Sequence, residues 1–488
     1  MPSRREFLRW MSLAAAAGAS WRVSPTRAAG PKEGKTMDEA KDFQYETPAF
    51  PQEPPATWLT YHLAHPGPGG AMPGDPNCAI WWKGRYHLHY IYQHKHGHSF
   101  AHVSSEDLLR WTWHPTTLTP PITGHGMFSG TAFLTKDGKP AIIYHGQGSG
   151  RNQLAFALDD KLEKWTKPRA IIPLDADGQE AKIRNWDPDC WLRGGAYYSI
   201  SGGGPPQLLR SADLKRWEHV GLLLHDDSPK GLGVSLDEDV SCANMFEIGG
   251  KWMLLCISHK LGCRYYLGGF KDEKYLPEFH AMMNWNQWDF FAPESLRTSD
   301  GRRVMWAWCV LKGLPVQAGI QCLPRELSLP ADGVLRIRPL RELEKLRHDE
   351  QVLKNVAVPA GAATPLKGIA GDTIELKVTF DAGKAKRFSL RVYCKDDGSG
   401  GFPILVAPAD KVLTLGKMKV PFAPPAGEDV ELRVFLDKSM VEVFAGGRQA
   451  AVAGCKYDPK DLAVALVSEG GPATVREVRC WKMKSIYA

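Results

Sequence analysis

The chain has 488 residues, 43% hydrophobic and 24% charged, a composition that excludes a disordered tail protein, a collagen-like fibre and a small disulfide scaffold. The formal net charge is +7, of which the first 28 residues carry +4 (Arg4, Arg5, Arg9, Arg22 and Arg27 against Glu6), so the remainder is near neutral. That balance gives no electrostatic basis for binding nucleic acid or an anionic membrane surface.

Ser3-Arg4-Arg5-Glu6-Phe7-Leu8-Arg9, the apolar stretch Trp10 to Ala17 and small residues around Ala28-Ala29 read as a twin-arginine export signal over residues 1–29. The apolar run is too short to span a bilayer, and no other stretch is long enough. The expected location is the periplasm or the medium. Residues 30–57, rich in Pro, Glu and Lys, read as a leader. The ten cysteines form no C-x-x-C pair, which argues against a zinc ribbon, and several sit in apolar strand patterns as buried thiols.

Over residues 58–335 a motif recurs: Ser105-Glu106-Asp107-Leu108-Leu109-Arg110-Trp111, Asp160-Lys161-Leu162-Glu163-Lys164-Trp165 and Ser211-Ala212-Asp213-Leu214-Lys215-Arg216-Trp217. Its tryptophans stand 54 and 52 residues apart. Five strand-like runs follow tight turns: Tyr86–Tyr90, Ala141–Tyr144, Ala196–Ile200, Lys251–Leu255 and Arg302–Trp308. A period near 50 with short strands between turns is the pattern of propeller blades, and the span holds five. Arg341–Leu346 reads as a short helix in a linker (336–352). From 353 to 488 the periodicity becomes two, as in Thr373–Phe380, Glu431–Leu436, Met440–Phe444 and Leu462–Leu466, so one face is wet and one packs in a β-sandwich. The expected fold class is all-β, a five-bladed β-propeller followed by a C-terminal β-sandwich.

The innermost strands of a propeller converge on a central funnel, so chemistry should recur once per blade. Asp75-Pro76-Asn77, Asp187-Pro188-Asp189 and Glu238-Asp239 each precede an apolar strand in a separate blade. One Asp-Pro alone is an ordinary turn initiator. Three in matching positions make a carboxylate constellation able to divide nucleophile and acid roles on a shared sugar. Trp82, Phe100, Phe128, Trp186 and Trp308 could stack on sugar faces or fill the core. His87, His89, His94, His96, His98 and His102 crowd one stretch, but no Cys or Asp completes a ligand set, so no metal site is expected.

These residues resemble glycoside hydrolase family 32, the invertase, levanase and inulinase group. Gly74-Asp75-Pro76-Asn77-Cys78 is similar to that family's N-D-P-N-G motif, Phe128-Ser129-Gly130-Thr131 to its F-S-G-S, and Trp186-Asp187-Pro188 to its R-D-P. Leu323-Pro324-Arg325-Glu326-Leu327 matches its L-P-R-E-L, and Asp437-Lys438-Ser439-Met440-Val441-Glu442-Val443-Phe444 resembles its D-x-S-x-V-E-V-F. The resemblance implies a retaining hydrolase of fructofuranosides or related furanosyl oligosaccharides, needing no cofactor. Asp75 would be the nucleophile and Asp187 the stabiliser of the transition state. Asn77, Trp82, His102, Phe128, Ser129, Arg184, Trp186 and Ser241 would bind substrate. Three departures stand out. The family's acid is the Glu of E-C-P, where this chain has Ser241-Cys242-Ala243; Glu238 and Asp239, just upstream, are the candidate acids. Trp186 replaces the R-D-P arginine, with Arg184 two residues away. Ile91 replaces a first-blade Gln. The alternatives are a carbohydrate-binding protein that has lost its acid, and an inverting, arabinan-type five-bladed hydrolase.

Overall fold

The structure, a computed structural model, describes residues 47–487 apart from 68–69, 287–288, 382–384 and 425–426. The twin-arginine segment and most of the leader lie outside the described residues. Five antiparallel sheets follow one another along the chain, each with its first strand innermost. Blade I comprises Pro76–Trp82, Arg85–His94, Gly97–Ser105 and Thr112–His114; blade II comprises Gly126–Leu134, Pro140–Gln147, Arg151–Phe156 and Arg169–Ala170. Blade III comprises Asp189–Arg193, Ala196–Ser201, Gln207–Ser211 and Trp217–Leu222, with Pro173–Leu174 added in parallel at its rim. Blade IV comprises Ser241–Ile248, Lys251–Ser258, Gly262–Lys271 and Lys274–Met282; blade V comprises Phe291–Arg297, Arg303–Cys309, Arg325–Ser328 and Arg336–Pro339. The five inner strands pack in turn, I on II through V on I, and close the ring.

All five expected apolar runs are second strands of a blade, each entered by a tight turn. The Leu-x-x-Trp repeat is the turn from third to fourth strand in blades I, II and III. Leu108, Leu162 and Leu214 adopt the left-handed conformation there, with φ of 63°, 57° and 63°. Such a backbone costs a non-glycine residue about 1–2 kcal/mol. All three side chains are buried, which offsets that cost. The preceding aspartate secures the turn: Asp107 Oδ1 accepts from the backbone N–H groups of Leu109 and Arg110, and Asp213 Oδ1 from those of Lys215 and Arg216.

The propeller extends to Pro339, beyond the boundary at 335 read from the sequence, because Arg336–Pro339 pairs with Arg325–Ser328 as blade V's outer strand. The true connection is the 3₁₀ turn Arg341–Leu346, and the sandwich begins with Arg347–Val358 rather than at 353. The sandwich consists of two six-stranded sheets whose inner faces form one apolar core, including Leu376, Val378, Leu390, Val406 and Leu466. None of the helices among the described residues is long and apolar enough to cross a membrane.

The propeller and the sandwich are joined by buried charge. Asp437 accepts hydrogen bonds from the backbone N–H groups of Thr60, Tyr61 and His62, and from His62 Nδ1 at 2.8 Å. Glu442 accepts from Leu323 N at 2.7 Å, from Arg325 at 3.1 Å and lies 3.3 Å from His62 Nε2. Burial alone would lower the His62 pKa, but Asp437 and Glu442 outweigh it and hold the imidazole protonated to about 9. A histidine raised this way stabilises fully below its unfolded value near 6.5, and that contribution is lost as pH rises through 9. The melting temperature is therefore expected to fall between pH 6.5 and 9.5. A His62→Gln variant, melted over the same range, should lose most of that dependence.

Candidate active site

Blades I, II, IV and V share a local device near the start of the inner strand. Two residues there stand opposite one on the second strand: Cys78 and Ala79, Phe128 and Ser129, Cys242 and Ala243, Ala292 and Pro293. These are β-bulges, and bulges re-aim side chains beside active sites. Cys78, Cys242 and Ala292 take φ values of 48°, 47° and 51° to make them. The short family-like motifs of the sequence are thus the bulges themselves. In blade III the corresponding irregularity is Asp187, with φ of 21° just before Pro188.

Asp75 and Asp187 come from different blades and meet at the funnel mouth. Asp75 is 8% exposed and Asp187 4%. Asp75 Oδ2 accepts from Ser129 Oγ at 3.0 Å, while Oδ1 is buried and has no hydrogen-bond partner. Asp187 Oδ2 accepts from Cys242 N at 3.1 Å, and the Cys242 Sγ lies 3.6 Å from the same oxygen and 3.4 Å from Ser129 Oγ. Ser129 and Cys242 thus bridge the two carboxyls. Burial, and then the charge of Asp187, push the Asp75 carboxyl from its usual value up to about 7, against the Ser129 hydrogen bond. Burial likewise pushes Asp187 up to about 6, opposed by the charge of His259 and the Cys242 N–H. Two desolvated carboxyls facing each other, one with an unpartnered oxygen, mark a reactive site rather than a structural one.

Asp189 shows the contrast. Two residues after Asp187, it points into the propeller axis, where Thr131 Oγ1, Cys190 N and Met245 N all donate to it. With Glu294, which accepts from Ala79 N and Asn244 Nδ2, it ties the inner strands together.

Several expected substrate contacts serve other purposes. Asn77 is fully buried: Nδ2 donates to Asp75 O at 2.6 Å and Oδ1 accepts from Gly130 N at 2.9 Å, so it positions the nucleophile loop and locks blade I to blade II. Trp82 lies at the far end of blade I's inner strand, seven residues from Asp75. At about 3.3 Å per residue it is some 20 Å from the mouth, where it packs against the core between blades I and II. His102 sits two strands out in blade I with no exposure. Its Nε2 is 2.9 Å from His87 Nδ1, and its ring stacks between His89 and His114. Burial first, then the neighbouring imidazoles, hold it neutral. The structure thus places both Trp82 and His102 away from the Asp75–Asp187 pair.

The rim is aromatic. Phe128 and Trp186 meet edge to face at 6.4 Å, and Arg184 stacks over Trp186 at 4.4 Å. Arg184 thus stands beside the position that the R-D-P arginine would hold. Trp186 Nε1 donates to Ser241 Oγ at 3.1 Å, and Ser241 Oγ donates to Asp239 Oδ1 at 2.7 Å. Ser241 itself has no exposure, so it is a bridge rather than a substrate contact.

The two candidate acids separate. Glu238 accepts from Ser258 Oγ at 2.6 Å and its field falls on Cys256, Arg264 and His280 within blade IV, away from Asp75 and Asp187. Asp239 does face the pair, but as an anion. Burial would raise its pKa, yet the hydrogen bonds and charge of His259, with the Ser241 hydroxyl, keep it below the usual carboxylate range. A carboxylate so held is a poor proton donor near neutral pH. His259, which the sequence reading missed, also faces the pair: its charge acts on both Asp75 and Asp187.

Residues 65–339 match the family model described as the glycosyl hydrolases family 32 N-terminal domain, and residues 342–482 match the family 32 C-terminal model. A sucrose-6-phosphate hydrolase of Escherichia coli is 24% identical, with the match covering 89% of this chain and 94% of that protein. A levanase of Bacillus subtilis (strain 168) is 25% identical over 93% of this chain and 73% of its own length. Among solved structures, fructan 1-exohydrolase IIa from Cichorium intybus superposes with a TM-score of 0.73 at 18% identity, covering 89% of this chain and 98% of that one, which establishes a shared fold.

Proposed function

The chain belongs to glycosyl hydrolase family 32 and is a glycoside hydrolase, and on that premise we propose that it cleaves fructofuranosides or related furanosyl oligosaccharides with retention of configuration. The observation that carries this reading is the Asp75–Asp187 pair, brought to one funnel mouth from separate blades and bridged by Ser129 and Cys242. The relatives described above are named for sucrose phosphate and levan, both of which carry fructofuranosyl groups, and this supports the sugar class.

In the proposed reaction the Asp75 carboxylate attacks the anomeric carbon, the glycosidic C–O bond breaks, and a glycosyl ester forms on Asp75. The unpaired Oδ1 is the oxygen suited to attack, since Ser129 occupies Oδ2. Water then cleaves the ester. Asp187 accepts hydrogen bonds from ring hydroxyls and opposes the positive charge that develops on the sugar ring. Phe128, Trp186 and Arg184 form the wall on which the sugar packs. The twin-arginine pattern supports action outside the cytoplasm, in the periplasm or the medium.

The test is a panel of sucrose, levan, inulin and arabinan incubated with the purified protein, with the anomer released first followed by NMR before it equilibrates. Release of β-fructofuranose is expected. Release of the inverted anomer from any of these glycans, or binding of every glycan with no release, would overturn the proposal.

A further inference from the structure

We propose that His259, held by Asp239, is the general acid–base catalyst of this hydrolase, in place of a glutamate on the blade IV inner strand. The inference rests on the fructosidase reading above and adds to it the identity of the proton donor.

The geometry comes from the blade IV hairpin. Its inner strand enters the mouth at Asp239 and its second strand, Lys251–Ser258, leaves it at His259. Ser241 pairs with Ile257 across the hairpin, which sets Asp239 level with His259. Asp239 Oδ2 accepts from His259 N at 2.9 Å and from the ring nitrogen Nδ1. Its other oxygen accepts from Ser241 Oγ, which Trp186 Nε1 holds in turn. Asp239 is thus fixed at both oxygens, and it fixes the ring. The imidazole is partly open, with a side-chain exposure of 36%, while its carboxylate is shielded. Among the described residues, the carboxylates whose charge acts on it are Asp239 from its own blade, Asp187 from blade III and Asp75 from blade I, and blade V presents the edge of Phe291 at 6.1 Å. Lys260 follows it in the chain.

The arrangement fits the missing role. Ser241 stands where the acid of the family-like motif is expected, and a serine hydroxyl does not protonate an alkoxide near neutral pH. An imidazolium does. Burial alone would lower the His259 pKa, but the Asp239 hydrogen bond and the charges of Asp239, Asp187 and Asp75 raise it above its usual value, which favours the protonated ring. As Asp75 attacks, the C–O bond breaks, its electron pair goes to the leaving oxygen, and that oxygen takes the proton on His259 Nε2. The neutral imidazole then takes a proton from the water that attacks the glycosyl ester, and Asp75 leaves as carboxylate. The imidazolium is restored, and one water is consumed per bond cleaved. Asp239 is a positioning residue that keeps Nδ1 protonated and the ring aimed.

The experiment compares wild type, His259→Gln and Asp239→Asn on sucrose and on p-nitrophenyl β-fructofuranoside, whose phenolate departs without a proton, with thermal melts of each. With His259→Gln, kcat on sucrose should fall roughly 10²–10⁴-fold, the aryl substrate should lose far less in the glycosylation step, and the alkaline limb of the pH profile should vanish. Asp239→Asn should shift that limb to lower pH. A folded His259→Gln variant with wild-type activity on sucrose, or an equal loss on both substrates with the alkaline limb intact, overturns the assignment of His259 alone. A folded wild type that releases fructose from neither substrate, nor from levan or inulin, overturns the fructosidase reading and this assignment with it.

Discussion

Replacing Asp75 with asparagine is expected to lower kcat by on the order of 10⁴–10⁶-fold, the scale of removing a covalent nucleophile, while making the protein more stable. The stability half follows from the same burial that activates the residue. The Asp75 pKa rises from 3.8 to about 7 on folding, so the folded state binds the proton more tightly than the unfolded one. Stability is therefore greatest at low pH as far as this group is concerned, and is lost as pH rises from 3.8 through 7. Above pH 7 the ionised carboxylate costs at most a few kcal/mol. Asparagine removes that cost and keeps the shape. Melts of Asp75→Asn and wild type at pH 8 should show the variant higher, and at pH 4 the two should converge. Asp187, pushed to about 6, behaves in the same direction but less strongly. A site that is strained electrostatically in the folded protein is the usual trade of stability for activity.

The second large effect is far from the chemistry. Glu442→Ala should destabilise the protein by roughly 3–5 kcal/mol, the cost of leaving a buried charge without its partner. Arg325 is fully buried, stacked 4.1 Å over Phe290, and its Nε and one terminal nitrogen have no hydrogen-bond partner, so Glu442 is the carboxylate that holds it. The same substitution strips an acceptor from His62 and from Leu323 N. Chemical denaturation should show the loss, and the double variant Arg325→Met/Glu442→Gln should recover much of it, because an apolar replacement removes both the charge and its desolvation cost. The long sequence motifs around Arg325 and Glu442 are therefore the two halves of one interdomain lock.

The second strand of each blade was legible because it combines a tight turn with an apolar run, two signals that agree. The Leu-x-x-Trp turns were legible because burial of the leucine and aspartate capping recur together. Blade V's outer strand, Arg336–Pro339, was not: four alternating residues before a helical turn look like the start of a linker, and only pairing with Arg325–Ser328 makes them a strand. In the site, Asp75 and Asp187 were found because Asp-Pro at a strand start is conspicuous. Trp82 and His102 were misplaced for one reason. A motif that lies near the nucleophile in sequence runs away from it along a strand, or outward by two strands, at about 3.3 Å and 4.8 Å per step. His259 was missed because the blade IV bulge shifts the hairpin register by one. Counting back from the Gly249-Gly250 turn without the bulge pairs Asp239 with Lys260; with it, the histidine comes level.

The measurement that tests the central claim most directly is mass spectrometry of the enzyme quenched in acid during turnover of p-nitrophenyl β-fructofuranoside. His259→Gln is used alongside wild type, to slow breakdown of the ester. One fructosyl group esterified to the peptide bearing Asp75 is the predicted result. A fructosyl ester on Asp187 instead, or turnover with no adduct in either protein and an inverted product, would contradict it.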